Sequence, residues 1–516
     1  MLHSLSILVL GVLTLPAFAQ APKSGLKPAK DTTFVTEPLD DDGYVDYEAA
    51  LNKRLKGTTR PDTNAVVLLL NCFGPKPDGR ELHADFHKAL GVDPPPAEGK
   101  YLIGHLQFFK DEFKDEVRDE FLKKDAELLS RPWRPAESPR HVEWLKANEE
   151  PLAHALRALE RKDYYLPVIS RQRDGKKGML IGASLQVVQL NRDLATCLAL
   201  RVMLRLGEGQ VDEALDDALA IHKLGRMTAR GASLIELLVG VAVEGIAHRV
   251  ETIALEKGRP NARQALGYLR KLRELPLPME FAERIHLNDR LTMLDAIQSN
   301  YREGFDIREP LQLDRKRKKP KELERFQASI DWDVVLRMAN GWFDRVVAAL
   351  RNPDRAERLV ELKRLEAELK NIEGDEKART ALEKFLRNMG PAEAVRAATS
   401  DRVGKAYLCL LAPAFSKILE SFDRHEQTLR NGIVAAALAA HFADHGKYPA
   451  KLEDLSPKYL AEVPNDVFNG KRLIYRKEDA GFVFYGVGIN GKDDGGRFYN
   501  DEPRGDDWGV RVPSTR

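Results

Sequence analysis

Between residues 185 and 257 apolar side chains recur at four-residue spacing and stop at glycine, a pattern that packed helices satisfy and strands do not. Leu190, Leu194, Leu198, Val202 and Leu206 come first, and that period places them on one side of an α-helix. Gly207 and Gly209 interrupt the run, after which Ala214, Leu215, Ala218, Leu219, Ile221 and Leu224 repeat it as far as Arg230. Two apolar faces joined by so short a link fold back on each other as an αα-hairpin.

The same spacing extends through most of the chain. Helices are predicted over residues 44–56, 61–73, 138–147, 233–257, 261–274 and 278–300, with Gly57 and Gly74 as stops. Trp332, Val335, Trp342, Val346 and Leu350 line a further face, and Leu359, Leu362, Leu365, Leu369 and Ile372 another. Phe109, Phe113, Val117 and Phe121 form an aromatic stripe among charged residues, expected to be core. Residues 204–219 resemble one tetratricopeptide-like unit, without the 34-residue self-similarity of an array. The fold class expected is therefore mainly α, stacked helical hairpins or a bundle followed by a small C-terminal α+β module. Its predicted regions are a helical stretch over 43–175, helical hairpins over 176–305, a charged linker over 306–330, charged helices over 331–423 and the module over 424–516.

The apolar run over residues 5–15, followed by Ala17, Phe18 and Ala19, predicts a signal peptide over 1–19, with Gln20 as the first mature residue. A periplasmic or extracellular location follows as the expectation. Residues 20–42 are Pro- and Lys-rich without periodicity, a flexible lead-in. No later segment matches the roughly 20 apolar residues that a membrane-spanning helix needs. Lys and Arg total 81 against 79 Asp and Glu, so no bulk positive field exists to recruit nucleic acid. Arg315, Lys316, Arg317, Lys318 and Lys319 are a local exception, read as a solvated linker able to make weak contact with an anionic surface. Cys72, Cys197 and Cys409 are the 3 cysteines. Each lies in an apolar run, which favours buried thiols over a disulfide framework.

After Arg424 the pattern changes. A helix ending near Gly446 leads to Lys447, Tyr448 and Pro449, then to Val463, Pro464, Asp466, Phe468 and Gly470, strand patterns over 472–476 and 482–488, and a loop through Gly488, Asn490, Gly491, Gly495 and Gly496. This order resembles the globular domain of the major pseudopilin of type II secretion systems, over about the last sixth of the chain. The whole chain also resembles a group of uncharacterised exported bacterial proteins with a helical body, on residues 39–47 and 204–209. The pseudopilin resemblance implies a calcium loop where Asn490, Asp493, Asp494, Asp506 and Asp507 supply oxygen donors on a Gly-rich backbone. The same residues also suit an acidic turn whose glycines only permit positive φ.

Catalytic signatures are absent: neither HExxH, GxSxG, a P-loop nor CxxC occurs. His441 and His445 share a helix face with Asp444 but fit a helix C-terminus better than a metal site. No catalytic or cofactor-binding residue is assigned. The expectation is a non-catalytic exported envelope protein, a helical scaffold for a protein partner, linked to type II secretion through its module. The alternative is a cell-envelope hydrolase with two carboxylates facing across a cleft between helical bundles.

Overall fold

A computed structural model describes residues 25–112, 118–170, 178–183, 186–276, 281–303, 330–373, 392–479 and 481–513. The signal peptide, the basic run 315–319, nearly all of the linker over 306–330, and Phe113 and Val117 of the aromatic stripe lie outside them.

The described chain is mainly helical. Short helices come first: α1 (Tyr47–Lys56), α2 (Ala65–Phe73), α3 (Ala84–Leu90), α4 (His105–Phe108), α5 (Arg118–Leu128), α6 (Pro139–Ala147) and α7 (Glu149–Ala158). Longer ones follow as α8 (Gln186–Gly207), α9 (Val211–Thr228), α10 (Leu234–Lys257) and α11 (Ala262–Glu274). Next come α12 (Phe281–Arg284), a π-turn over Ile285–Asp289, α13 (Arg290–Glu303), α14 (Trp332–Leu350), α15 (Arg355–Glu373), α16 (Ala392–Leu411) and α17 (Phe415–His445). The expected hairpin is α8 and α9, with α10 packed on both. Among the described residues no helix is long and apolar enough to cross a membrane.

Local chemistry sets many of these ends. Asp46 caps α1 by accepting the Ala49 N–H at 2.9 Å, Ser233 and Glu236 form a capping box on α10, and Asn261 and Gln264 do the same on α11. The acidic residues before α1 also have a long-range partner, since Arg302 donates to Asp40 at 2.7 Å and to Asp42 at 3.2 Å.

Packing does not follow the boundaries expected from sequence. One core joins α2 and α6–α11 to Val434, Ala436, Leu438 and Ala440 of α17 and to Phe482, Phe484 and Val510 of the C-terminal sheet. A second joins α1, α13, α14, Leu362 and Leu365 of α15 and Tyr407 of α16 to Phe415 and Leu419 at the start of α17. The boundary expected at Arg424 thus falls inside a continuous helix of 31 residues, about 46 Å long, that belongs to both cores. The lead-in is also corrected from residue 25 onward. Thr32 and Thr33 are buried, Asn340 donates to the carbonyls of Asp31 and Thr32 at 3.2 and 2.6 Å, and Tyr47 donates to that of Thr33 at 3.2 Å. Irregular backbone can be buried there because side chains satisfy its carbonyls.

Near the C-terminus three strands, β1 (Ile474–Lys477), β2 (Phe482–Gly486) and β3 (Trp508–Val512), form an antiparallel sheet in the order β1-β2-β3. The third strand was not expected. Buried Asp466 fixes the geometry of this region, because its carboxylate accepts the N–H groups of Phe468 at 2.8 Å and Val487 at 2.9 Å. Gly486 must lack a side chain, since a Cβ there would lie 2.6 Å from that carboxylate. Helix α17 holds the sheet by polar contacts: Gln427 accepts the Val467 N–H, Asn431 donates to the Trp508 carbonyl, and Trp508 donates to Thr428.

A chain ending before Arg424 would strip the first core of Val434, Ala436, Leu438 and Ala440 and of the sheet residues Phe482, Phe484 and Val510 packed with them. Deletion of residues 424–516 is expected to abolish the cooperative helical melt of the remainder, read by circular dichroism. A truncated protein that melts sharply would show that the body folds without α17.

Candidate functional site

Three polar constellations and two grooves are candidates. The first lies where α9, α10, α11 and α17 meet. Glu251 of α10 accepts from His222 Nε2 at 3.1 Å, His248 Nδ1 at 2.7 Å and the Tyr268 hydroxyl at 2.6 Å. One turn pair away, Glu244 accepts from Arg226 Nε at 3.0 Å, and one of its oxygens stands 3.6 Å from both His222 Nδ1 and His425 Nε2. Gly432 lets α17 approach, because a Cβ there would lie 2.3 Å from a Glu251 oxygen. His222 and both carboxylates are 1% exposed. Burial opposes the charge on His222, but Glu251 and Glu244 outweigh it and hold its pKa at about 9. Burial likewise opposes the Glu251 charge, yet His222 and His248 keep its pKa well below the usual carboxylate range. His425 is shifted the other way, its charged form disfavoured chiefly by burial.

The second constellation is the acidic loop, and it brings together Asn490, Asp493, Asp494, Asp506 and Asp507. Asp507 accepts the N–H groups of Asp494 at 3.2 Å and Gly496 at 2.8 Å. Asp494 accepts the N–H of Asp506 at 2.7 Å, and Asp506 that of Asn490 at 2.8 Å. Asp493 accepts from the Tyr485 hydroxyl at 3.0 Å. These carboxylates brace two loop segments against each other through backbone donors. Burial, together with the charges of Asp494 and Asp493, raises the Asp507 pKa against the pull of its two N–H bonds.

The third constellation was missed from sequence. His105 opens α4, Asp125 lies on α5 and His141 is in the first turn of α6. His105 Nε2 and His141 Nε2 stand 3.1 and 3.0 Å from the same Asp125 oxygen. Among the described residues this is the one group of three or more His, Cys, Asp or Glu side chains whose ligand atoms lie within 4.8 Å of one another. No short motif announces it, because the three residues come from separate helices.

His441 and His445 make other contacts: His441 Nδ1 bonds the Lys447 carbonyl at 3.1 Å, and His445 Nε2 meets the Tyr459 hydroxyl at 3.2 Å. Cys72 and Cys197 are buried free thiols, and Cys409 is a partly buried one; burial raises the first two well above the ordinary thiol range.

Of the two grooves, one of about 740 Å³ runs past Arg259, Pro260, Phe442 and Tyr448. The other, about 870 Å³, lies along α7, α9 and α11 over Leu156, Leu159, Leu219 and Ala220. Its rim carries matched charges, with Lys223 bonded to Glu160 and Lys271 to Asp216, both at 2.6 Å. Asp217, also lining it, is held by Arg201 and Arg205.

Compared with protein-family models, curated proteins and solved structures, the chain matches none.

The buried network sets a pH dependence. A His222 pKa raised to about 9 in the folded state stabilises the fold fully below the unfolded value of about 6.5 and ceases to do so as pH rises through the folded one. Urea melts are therefore expected to show stability falling from pH 7 to pH 10. Glu251→Gln should flatten that fall and cost about 3–5 kcal/mol at neutral pH, as when one partner of a buried pair is removed. An unchanged slope in this variant would assign the fall to other groups.

Proposed function

We propose that the protein is a non-catalytic exported envelope scaffold, whose helical body binds a protein partner and whose C-terminal part is a pseudopilin-like module linked to type II secretion. The observation that carries the scaffold reading is the open groove along α7, α9 and α11. It offers an apolar floor and a rim of acids and bases of both signs. Lys271 and Asp216 are solvent-facing, as is Glu160, and exposed ion pairs contribute only about 0–1 kcal/mol. Such pairs exchange readily for charges on an incoming protein surface, while the floor contributes burial. Three of the carboxylates that line the groove, Glu160, Asp216 and Asp217, are each paired with a cation, a use that favours a charged docking rim over the acid and base of a hydrolase. His222 and Glu251, whose buried pairing shifts both, line neither large groove, so they serve the fold.

Support for the pseudopilin-like reading is the helix packed on a three-stranded antiparallel sheet, with the Gly-rich loop between β2 and β3. In that loop calcium is the ligand proposed. Burial first, and then the charges of Asp494 and Asp493, disfavour the ionised Asp507, and a divalent cation bound by the loop's oxygen donors would offset both.

Lys223→Glu combined with Lys271→Glu is expected to abolish co-purification of a specific partner from the organism's envelope fraction while leaving the melt unchanged. Release of soluble fragments from purified envelope material by the wild-type chain would instead support the hydrolase. For the loop, the melting temperature of the full chain should rise with millimolar calcium, by mass action, and Asp493→Asn with Asp494→Asn should remove the rise. A melt indifferent to calcium and chelator leaves the loop a purely hydrogen-bonded turn.

A further inference from the structure

We propose that His105, Asp125 and His141 bind one transition-metal ion of the zinc class, pinning α4, α5 and α6 together. The ligand set is of the right chemistry, since imidazole nitrogen and carboxylate oxygen are the donors borderline-soft divalent ions take. All three ligand atoms lie within 4.8 Å of one another, and two of the three separations are close to those of a bound ion. Zinc bonds of about 2.0–2.1 Å set ligand-to-ligand edges near 3.3 Å in a tetrahedron. The two observed nitrogen-to-oxygen separations, 3.1 and 3.0 Å, are shorter by only a few tenths of an ångström. Small outward shifts of three side chains would admit the ion.

The surroundings have the features of a built site. His141 Nδ1 lies 2.7 Å from the buried Ser138 hydroxyl, the outer contact that fixes a ligating imidazole's tautomer and ring plane. With the proton on Nδ1, this imidazole donates to Ser138 and turns an Nε2 lone pair toward the ion. His105 is delivered by a pinned backbone. The Ile103 N–H donates to Asn148 at 2.8 Å, and its carbonyl accepts from Trp144 at 2.8 Å. Around the polar atoms the rings of Phe109, Phe121 and Trp144 pack on the imidazoles, with His105 at 4.8, 5.6 and 5.2 Å between centroids. An apolar collar of this kind excludes competing water. An entry path remains, because the side chains of Asp125 and His105 keep 14% and 10% of their surface while His141 keeps 3%. Water entering on that side completes four-coordination.

The ion would also supply what these helices lack. Helix α4 spans 4 residues, below the roughly 12–15 at which isolated helices become even marginal. Cross-linking it to α5 and α6 through three ligand bonds couples metal affinity directly to local folding.

The test uses the full mature chain, stripped with chelator and reloaded with zinc or cobalt(II). Expected are one zinc per chain retained through desalting, visible d–d absorption of four-coordinate cobalt, and a zinc X-ray absorption shell containing two imidazole nitrogens. His105→Gln should lose the cobalt bands, and Ser138→Ala, which keeps all three ligands, should weaken zinc about tenfold to a hundredfold. A shell made only of oxygens, as the acidic C-terminal loop would give, overturns the proposal. So does failure of the wild-type chain to retain zinc, a reading that needs no variant to fold. Zinc held equally by folded wild type and His105→Gln overturns it as well.

Discussion

The fold turns on one buried carboxylate. Glu251 takes hydrogen bonds from three side chains on two neighbouring helices and its own, and α17 crosses it at a glycine. Removing a carboxylate from water is costly unless charge and hydrogen bonds repay it. Here a protonated His222 and two further donors do so, and those donors can reach only if α9, α10 and α11 hold their present angles. A purely apolar junction would tolerate sliding of one helix past another. A charged junction with directional partners does not, so the register of four helices is set at one point.

Because α17 passes that point and continues, it couples the two cores. Its first turns, with Phe415 and Leu419, complete the packing of α13–α16, and its last turns, Val434 to Ala440, complete that of α7–α11. Between them the buried face is polar. Asp423 pairs with Arg355 at 2.6 Å, and Gln427, Thr428 and Asn431 hold the sheet. One side of this helix thus serves three different partners in succession.

That succession explains which parts of the molecule were legible in the sequence. Helices with a clear apolar period, such as α8, α9 and α14, could be read from that period, and Gly57 and Gly74 marked the ends of α1 and α2. The stretch around Arg424 reads as a polar boundary because Asp423, Gln427 and Asn431 look like surface residues. They are buried with partners from elements distant in sequence, and periodicity carries no information about such partners. The docked segment at Thr32 and Thr33 was hidden for the same reason, its backbone bonds being supplied by Asn340 and Tyr47. Strand β3 has bulky residues at Trp508, Val510 and Val512, but it follows a long acidic loop that gives no hairpin signal. In the candidate metal centre, His105, Asp125 and His141 converge from three helices, which no spacing rule anticipates. The acidic loop was legible as a cluster, whereas the use of its carboxylates as backbone acceptors was not.

The docked N-terminal segment bears on the order in which the molecule assembles. Thr32 is tied to Asn340, 308 residues away in sequence, and the core beneath it also needs Phe415 and Leu419. During synthesis, four fifths of the chain must emerge before that core can close. Until then Leu26, Tyr47 and the apolar face of α14 stay exposed, while α8–α10, close in sequence, can pair early. Contacts of such long separation form slowly, and exposed intermediates of large chains aggregate. The segment that a reading by composition assigns to a loose tether is therefore the latch that fastens last, and a nascent chain has to be shielded for as long as it hangs open.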